Sequence, residues 1–247
     1  MRLDQALVEQ GLCHSREKAK RAVLAGQVRV NGQVARKPSD PVKPADRLEL
    51  AVPERYVSRG GYKLEHALDC FHIAVEGKTA LDLGASTGGF TDCLLQRGAA
   101  RVYAVDVGQG QLAWKLRRDA RVVVMEKTNA RNLTADDFPE PPQPVDLAVI
   151  DCSFISLRKL LPNAVALLTP SGKIVALIKP QFEAGKSEAD RGAGVITDPA
   201  IHARVLLELA QFVGTLALVK WQGLTQSPLL GPAGNKEFFV LLEKTNS

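Results

Sequence analysis

The sequence predicts an α/β fold, in which a mainly parallel sheet with helices on both faces follows a small α+β domain. Two observations predict it. From residue 77 onward, apolar strand segments alternate with helical segments, which is the pattern of a parallel sheet. Residues 1–59 contain 12 Lys and Arg against 7 Asp and Glu, whereas residues 60–247 contain 20 of each. Residues 1–59 thus form a basic N-terminal segment, here called the basic head, before a neutral remainder. This distribution indicates an appended module that binds a polyanion such as nucleic acid.

The composition narrows the class of protein. Of the 247 residues, 45% are hydrophobic and 24% are charged, which excludes a disordered, collagen-like or coiled-coil chain. The longest uncharged stretch, residues 221–235, contains prolines and glycines and is too short for a transmembrane helix. The N-terminus lacks the apolar stretch of a secretory signal. We therefore expect a cytoplasmic protein that makes no membrane contact.

The four cysteines are far apart and form no CxxC pair, which argues against both a disulfide framework and a zinc site. We expect free thiols in a reducing compartment and no metal ion. The sequence does not determine the oligomeric state, and a monomer is the favoured expectation.

In the basic head, the sequence predicts a helix over residues 2–10 and a second, strongly basic helix from the N-cap Ser15 to about Ala25. Alternating valines around Asn31-Gly32 predict a hairpin, and residues 46–50 predict a further strand. This order resembles the S-four-type RNA-binding domain over roughly residues 1–52, and we place that domain at 1–54. The resemblance implies contact with folded RNA through basic side chains. The candidate RNA-binding residues are Arg2, Arg16, Lys18, Lys20, Arg21, Arg29 and Arg59.

A proline and a glycine pair punctuate the segment after the head, which predicts an interdomain linker at 55–62 and a second domain at 63–247. In the second domain, seven strands are predicted, and the last two are joined by a loop without helical pattern, which predicts an antiparallel hairpin. This layout resembles the Rossmann-like, seven-stranded class I methyltransferases. The predicted strands are 78–83, 101–107, 121–125, 145–151, 173–179, 216–221 and 237–243, and the predicted helices are 88–97, 110–119, 156–168 and 199–213.

A glycine-rich turn follows the first strand of the second domain, in Asp82-Leu83-Gly84-Ala85-Ser86-Thr87-Gly88-Gly89-Phe90. Asp106 ends the next strand 22 residues after Gly84, the spacing expected of a carboxylate that holds ribose hydroxyls. Together these features predict an adenosyl ligand, and the turn resembles the S-adenosylmethionine loop of the FtsJ-like ribose methyltransferases. The cofactor-binding residues that this implies are Asp82, Gly84, Ala85, Ser86, Gly88, Gly89, Phe90, Asp106, Val107, Asn129 and Asp151.

Ionisable residues close two further strands, Asp151 after Val149-Ile150 and Lys179 after Leu177-Ile178, so both lie at the edge of the sheet that carries the glycine turn. With Lys63 and Glu237 they match, residue by residue, the Lys-Asp-Lys-Glu tetrad of the FtsJ-like ribose 2′-O-methyltransferases. Our hypothesis is that Lys179 is the base for the 2′-hydroxyl or orients it. Asp151 and Glu237 would then fix the geometry, and Lys63 would favour the neutral amine of Lys179 through like-charge repulsion.

Head, linker and tetrad together with Lys179-Pro180-Gln181-Phe182-Glu183 are similar to the TlyA family, also labelled hemolysin A. The resemblance implies 2′-O-methylation of cytidines in ribosomal RNA, with ribosomal subunits as partners. Two alternatives stay open: a noncatalytic ribosome-binding or assembly protein, and a cytolysin. A nicotinamide oxidoreductase is less favoured because Ser86 stands where the second glycine of its fingerprint should be. Residues 181–198 are expected to form a mobile lid that touches RNA.

Overall fold

The computed structural model describes residues 1–50, 54–139, 145–185, 188, 192 and 194–245. The chain forms two compact units, Met1–Arg55 and Tyr56–Ser247, and each is described by itself.

The first unit packs two helices against a small antiparallel sheet. Ser15 caps the second helix by accepting a hydrogen bond from the backbone N–H of Lys18 at 3.3 Å. Asn31 and Gly32 have φ values of +51° and +82°, the left-handed pair that a tight hairpin requires, so the predicted hairpin is confirmed. The elements are α1 (Leu3–Glu9), α2 (Arg16–Leu24), β1 (Val28–Val30), β2 (Gln33–Val34) and β3 (Leu48–Leu50), with the sheet order β2-β1-β3.

The second unit is built on a seven-stranded sheet. Its strands are β4 (Thr79–Leu83), β5 (Arg101–Val105), β6 (Val122–Met125), β7 (Val145–Ile150), β8 (Leu168–Ile178), β9 (Val219–Gln226) and β10 (Phe238–Lys244). Its helices are α3 (Gly60–Cys70), α4 (Gly89–Gln96), α5 (Trp114–Arg117), α6 (Leu161–Leu167), α7 (Pro180–Glu183) and α8 (Pro199–Thr215). The predicted α/β class and the seven strands are confirmed.

The strands lie in the order β6-β5-β4-β7-β8-β10-β9, and all neighbours are parallel except those of β10. β10 inserts between β8 and β9 and runs antiparallel to both. Its first residue, Phe238, pairs with Ile178, the last residue of β8. The start of β10 therefore lies at the edge where the parallel strands end.

Both faces of this sheet are covered, because successive side chains of a strand point to opposite faces. In β4, Leu81 and Leu83 pack with α6 and α8, whereas Ala80 packs with α3 and α4 on the other face. The central strands are consequently mainly apolar, as expected of a parallel sheet buried on both sides, with Asp82 of β4 as a buried exception.

Two predicted helices are shorter in the structure. Residues 110–119 form only the single turn of α5, because the preceding residues bond to the glycine turn: Ala113 N donates to Thr87 O at 3.1 Å. Residues 156–168 divide into a 3₁₀ turn (Leu157–Lys159) and α6. Pro162 lacks an N–H and is tolerated only in the first turn of a helix, so α6 cannot begin much earlier.

The structure also differs at the predicted linker, 55–62. Tyr56 is buried in the core of the second unit and makes an edge-to-face contact with Tyr62, with ring centroids 5.1 Å apart. A Cβ at Gly61 would lie 2.2 Å from the ring of Tyr56, so glycine permits this close packing. Most of the segment thus belongs to the second unit and leads directly into α3. Of the residues placed in the first domain, 51–53 lie outside the described part.

Candidate active site

The carboxyl edge of the sheet gathers the predicted site residues of the second unit. Gly84, Asp106, Asp151 and Lys179 each follow the last residue of a parallel strand. Backbone hydrogen bonds continue beyond the strands there: Asp151 N donates to Leu83 O at 2.9 Å, and Gly84 N donates to Val105 O at 2.9 Å. These turns are therefore held against one another.

All four members of the predicted tetrad line one cavity of about 290 Å³, together with the glycine turn. Lys63 reaches it from α3 and Glu237 from the start of β10, while Asp151 and Lys179 lie at the ends of β7 and β8. Residues 63 and 237 are brought together although 174 positions separate them.

The tetrad forms two ion pairs. Lys63 Nζ donates to Glu237 Oε2 at 2.6 Å, and both side chains are buried. Lys179 Nζ lies 2.6 Å from Asp151 Oδ1 and donates to the hydroxyl of Ser153 at 2.9 Å. Buried charges need such partners, because an unpaired charge loses its hydration without compensation. Both amines are therefore held in place at the cavity wall.

One oxygen of Glu237, Oε1, is buried and has no hydrogen-bond partner among the described residues. It lies close to the backbone of Gly231, where a Cβ would be 2.6 Å from it. Gly231 is in turn held by the hydrogen bond from its N–H to Asn235 O at 2.9 Å. The glycine thus leaves room for the carboxylate, whose free oxygen can still accept a hydrogen bond.

The glycine turn brings backbone close to the cavity. Gly84 has a φ of +88°, and a Cβ there would lie 2.7 Å from the carbonyl oxygen of Asp151, so only glycine fits without displacement. Ala85, Ser86, Gly89 and Phe90 line the same cavity. The first turn of α4 begins at Gly89, so its free N–H groups lie at this wall.

A second cavity of about 500 Å³ shares Gly84, Ser86 and Asp151 with the first. The predicted residues Asp106, Val107 and Asn129 line it. Asp106 accepts hydrogen bonds from Ser86 N at 2.8 Å and Gly108 N at 2.7 Å. Because a carboxylate has about four lone-pair positions, Asp106 can still accept two ribose hydroxyls. A polar edge beside an apolar wall fits an adenosyl group, and the adjoining first cavity fits the charged methionine end.

Two predicted cofactor-binding residues lie outside the cavity walls. Gly88 is behind the turn, where a Cβ would lie 2.2 Å from Leu116. Asp82 is fully buried in β4, on the face that packs against α4, and accepts a hydrogen bond from Thr91 Oγ1 at 2.6 Å. Burial raises the pKa of Asp82 to about 7, although the hydrogen bond from Thr91 opposes the shift. In this structure both residues support the turn from behind.

A third cavity, of about 340 Å³, adjoins the tetrad and contains two aromatic residues that sequence reasoning did not assign to the site. Phe154 is 90% exposed and has a φ of +64°, an uncommon conformation for a bulky residue. Its ring centroid lies 5.0 Å from that of Phe182. Lys179 and Glu237 line the same cavity. The two rings therefore form an apolar wall directly beside the tetrad.

Sequence reasoning also missed Ser58 and Ser153, which both line the first cavity. Ser153 and Phe154 follow Asp151 so closely that their position after the strand was an available signal. Ser58 was not assigned to the site, and the folding of residues 56–60 against α4 brings it to the cavity. Cys152 lines the second cavity, and burial raises the pKa of its thiol to about 12, which favours the protonated thiol over the reactive thiolate.

The sequence predicts a mobile lid at residues 181–198, of which positions 186, 187, 189–191 and 193 lie outside the described residues. The described residues on either side of these positions are hydrogen-bonded to the rest of the second unit. Glu183 accepts hydrogen bonds from Ser156 Oγ at 2.6 Å and Leu157 N at 2.7 Å. Asn235 accepts one from Ile196 N at 2.9 Å and donates one to Gly194 O at 2.8 Å.

The candidate RNA-binding residues of the first unit are all exposed. Arg2 and Arg16 both pair with the buried carboxylate of Asp4, whose pKa is lowered chiefly by the hydrogen bonds from Arg2. Arg21 pairs with Glu17 on α2, and Arg29 donates to Gly32 O at 3.0 Å. Lys18 and Lys20 lie exposed on α2.

Arg59, the remaining candidate RNA-binding residue, lies in the second unit, where it lines the cavity of the tetrad.

Of the described residues, no group of three or more His, Cys, Asp and Glu is placed to hold a metal ion. No described helix has the length and apolarity needed to cross a bilayer.

Comparisons with known proteins agree with this architecture. Residues 56–244 match the FtsJ-like methyltransferase family and residues 1–48 match the S4 domain. The chain is 48% identical over 245 residues to the 16S/23S rRNA (cytidine-2′-O)-methyltransferase TlyA of Mycobacterium tuberculosis, covering 98% of this chain and 89% of TlyA. It is 50% identical to YqxC of Bacillus subtilis, provisionally named an rRNA methyltransferase, covering 98% of this chain and 85% of YqxC.

Solved structures extend the comparison. A Streptococcus thermophilus protein with a provisional hemolysin name is 46% identical to this chain, with a TM-score of 0.75 over 100% of this chain and 89% of the other. The O-methyltransferase TomG of Streptomyces achromogenes, solved with S-adenosylmethionine, shares the fold of the second unit at 16% identity, with a TM-score of 0.52 over 79% of this chain and 84% of the other. The chain therefore belongs to the TlyA family, in which an S4 domain precedes an FtsJ-like methyltransferase domain.

Proposed function

We propose that this methyltransferase transfers the methyl group of S-adenosylmethionine to the 2′-hydroxyl of a cytidine in ribosomal RNA. The observation that carries the proposal is the convergence of Lys63, Asp151, Lys179 and Glu237 as two ion pairs in the wall of one cavity, beside the glycine turn. TlyA of Mycobacterium tuberculosis, nearly half identical over almost the whole chain, carries this activity in its name.

The cofactor would occupy the two cavities that share Gly84, with its ribose at Asp106 and its methionine end at Ala85, Ser86 and Gly89. When bound, S-adenosylmethionine supplies an electrophilic methyl group on a positively charged sulfur. The protein's task is to bring a ribose oxygen into line with that methyl group, and such positioning accounts for much of the acceleration in reactions of this type.

We infer that Lys179 receives the proton. Bound S-adenosylmethionine would supply the methyl group and leave as a thioether, and Lys179, with its amine in the neutral form, would take the proton of the attacking 2′-hydroxyl. Asp151 at 2.6 Å and Ser153 at 2.9 Å hold that amine at the cavity wall. Lys63, paired with Glu237, adds positive charge to the same wall without being free to move.

The third cavity provides a place for the acceptor nucleoside. Phe154 and Phe182 supply an apolar wall on which a base can stack, and the tetrad lies at the same cavity. Arg59 lines the neighbouring cavity of the tetrad, where its guanidinium can contact the phosphate of the acceptor. A base stacked on this wall would have to leave its helical stack, so the substrate is an unpaired or extruded nucleotide.

The first unit supplies affinity for RNA. Its exposed cations can neutralise phosphates, which positions the substrate but reads little sequence. We therefore propose ribosomal RNA, within a subunit or free, as the partner.

The test is transfer of tritiated methyl from S-adenosylmethionine to purified small subunits, large subunits and deproteinised rRNA from cells that lack this protein. A 2′-O-methyl group blocks alkaline cleavage of the adjacent phosphodiester, so label must survive alkali in dinucleotides. Complete digestion to nucleosides should then place the label in 2′-O-methylcytidine.

Other outcomes would overturn the proposal in distinguishable ways. Label in mononucleotides after alkali would indicate base methylation, and label in another 2′-O-methylnucleoside would refute cytidine. No label in any RNA, with tight binding to a subunit, would favour the noncatalytic assembly protein. Leakage of a dye from phospholipid vesicles at low protein concentration, without methyl transfer, would favour the cytolysin.

A further inference from the structure

Trp114 is an exposed aromatic residue that neither the core nor the proposed chemistry uses. It begins α5 and is 72% exposed. The guanidinium of Arg118 lies 6.0 Å from the centroid of its ring, within the range of a cation–π contact. The neighbouring Lys115 side chain is 56% exposed. An indole and two cations thus share one small surface, which we call the Trp114 surface (Trp114, Lys115 and Arg118).

This surface is held rigidly. Leu112 and Leu116, on either side of Trp114 in the chain, are both buried. Arg117 Nε donates to Leu112 O at 3.1 Å and so closes the single turn of α5. Lys115 Nζ donates to the buried carboxylate of Asp92 at 2.9 Å. The indole is therefore presented to solvent by an ordered segment, which lowers the entropic cost of binding a partner.

The same segment is attached to the glycine turn of the active site. Ala113 N donates to Thr87 O at 3.1 Å, and Ser86 Oγ lies within hydrogen-bond distance of Gln111 Oε1 at 3.4 Å. Leu116 packs so closely behind Gly88 that a Cβ there would lie 2.2 Å from it. The residues on either side of Trp114 in the chain are therefore attached to the glycine turn, at which an RNA substrate would meet the cofactor.

We propose that the Trp114 surface is a second RNA contact, on which an unpaired base near the methylated nucleotide stacks. This inference rests on the proposed function. The flat face of an indole stacks on any base, and the exposed Arg118 supplies positive charge for a flanking phosphate. The surface lies on the segment that is hydrogen-bonded to the glycine turn, so continuity with the proposed RNA-methylating site favours RNA over another protein or a second copy of this chain.

The experiment compares Trp114→Ala and Trp114→Phe with Leu207→Ala, a control at a residue of α8 that is 60% exposed. We expect Trp114→Ala to raise the Kd for deproteinised rRNA and for ribosomal subunits about tenfold, the usual effect of removing one stacking ring. Trp114→Phe should retain most of the affinity, and Leu207→Ala should change nothing. Binding of S-adenosylhomocysteine and the methylation rate at saturating RNA should equal those of the wild type.

Each contrary result has its own meaning. An unchanged Kd for both RNA probes in Trp114→Ala would overturn the inference. Weaker binding to subunits with unchanged binding to deproteinised rRNA would assign the surface to a ribosomal protein. A lower solution mass of the Trp114→Ala variant than of the wild type in light scattering would show that the Trp114 surface binds a second copy of the chain. Absence of methylation by the wild type would refute the proposed function, while the RNA-binding comparison could still be read.

Discussion

The ion pairs of the first unit and those of the tetrad differ in their exposure to solvent. In the first unit, the ion pair of Arg21 and Glu17 lies at the surface, with side chains that are 79% and 75% exposed. At the active site, Lys63 and Glu237 are 8% and 1% exposed and lie 2.6 Å apart. Water and salt screen the first kind, whereas the second kind has lost its hydration and depends on its partner.

The difference teaches what each region can do. Exposed cations can exchange their partners for phosphates at little cost, so the first unit is suited to binding an RNA surface. Buried pairs hold their atoms in one arrangement, so the active site is suited to placing a proton acceptor against one ribose. The two regions should therefore respond differently to mutation and to salt.

The largest effect should come from removing the amine of Lys179, the proposed proton acceptor of the buried site. We expect Lys179→Ala to lower the single-turnover methylation rate by about 10²- to 10⁴-fold, the usual contribution of a positioned acid or base. Binding of S-adenosylhomocysteine should persist. Ser153→Ala is the matched variant, because it removes only the hydroxyl that accepts from Lys179, and its loss should be smaller. A Lys179→Ala protein that methylates at the wild-type rate would refute the role of this lysine.

Removing one partner of the buried pair of Lys63 and Glu237 should lower the free energy of unfolding. Glu237→Gln leaves the ammonium of Lys63 buried without a carboxylate, which costs about 3–5 kcal/mol in unfolding free energy. Glu17→Gln in the exposed pair should cost no more than about 0.5 kcal/mol. Urea unfolding followed by circular dichroism measures both. Equal losses in the two variants would contradict the distinction between buried and exposed pairs.

A third prediction concerns pH. The pKa of Asp82 is raised to about 7 in the folded protein, so the folded state binds more protons than the unfolded state between about pH 4 and pH 7. The stabilisation by protonated Asp82 is complete below the unfolded pKa and is lost as the pH rises through the folded pKa. Measured against Asp82→Asn, the wild type should lose up to about 4 kcal/mol from pH 4 to pH 8.

Asp119 provides a control of opposite sign for the pH prediction. The Arg121 guanidinium lowers the pKa of Asp119 by hydrogen bonding, so its contribution is lost as the pH falls. Relative to Asp119→Asn, the wild type should therefore gain stability with rising pH, by a smaller amount because the pair is partly exposed. A flat difference between wild type and Asp82→Asn would contradict a buried, titrating Asp82.

The smallest effect should come from the exposed cations. Replacing Lys18 and Lys20 together by Gln should weaken RNA binding about tenfold near physiological salt. The slope of log K against the logarithm of the salt concentration should become less negative by up to about 2. The methylation rate at saturating RNA should not change. An unaltered salt dependence would show that α2 makes no phosphate contacts.

The α/β class, the seven strands and the hairpin of the first unit were predictable because they depend on local signals: apolar runs, glycine turns and the Asn31-Gly32 pair. Helix 110–119 was mispredicted because hydrogen bonds such as Ala113 N to Thr87 O compete with helical ones. The two aromatic rings of the third cavity were also missed, because the apolar wall forms only where Phe154 meets Phe182.

By itself, the sequence determined which residues end the strands, and therefore that Gly84, Asp106, Asp151 and Lys179 share one edge, because parallel strands end on the same side. Only the tertiary structure decided that β10, one strand of the predicted antiparallel hairpin, inserts between β8 and β9, which carries Glu237 to that edge. It also decided that α3 delivers Lys63 to Glu237, and that Asp82 faces α4 behind the cavity. Such contacts join residues far apart in the chain, and no local pattern of apolar and polar residues encodes which of them will meet.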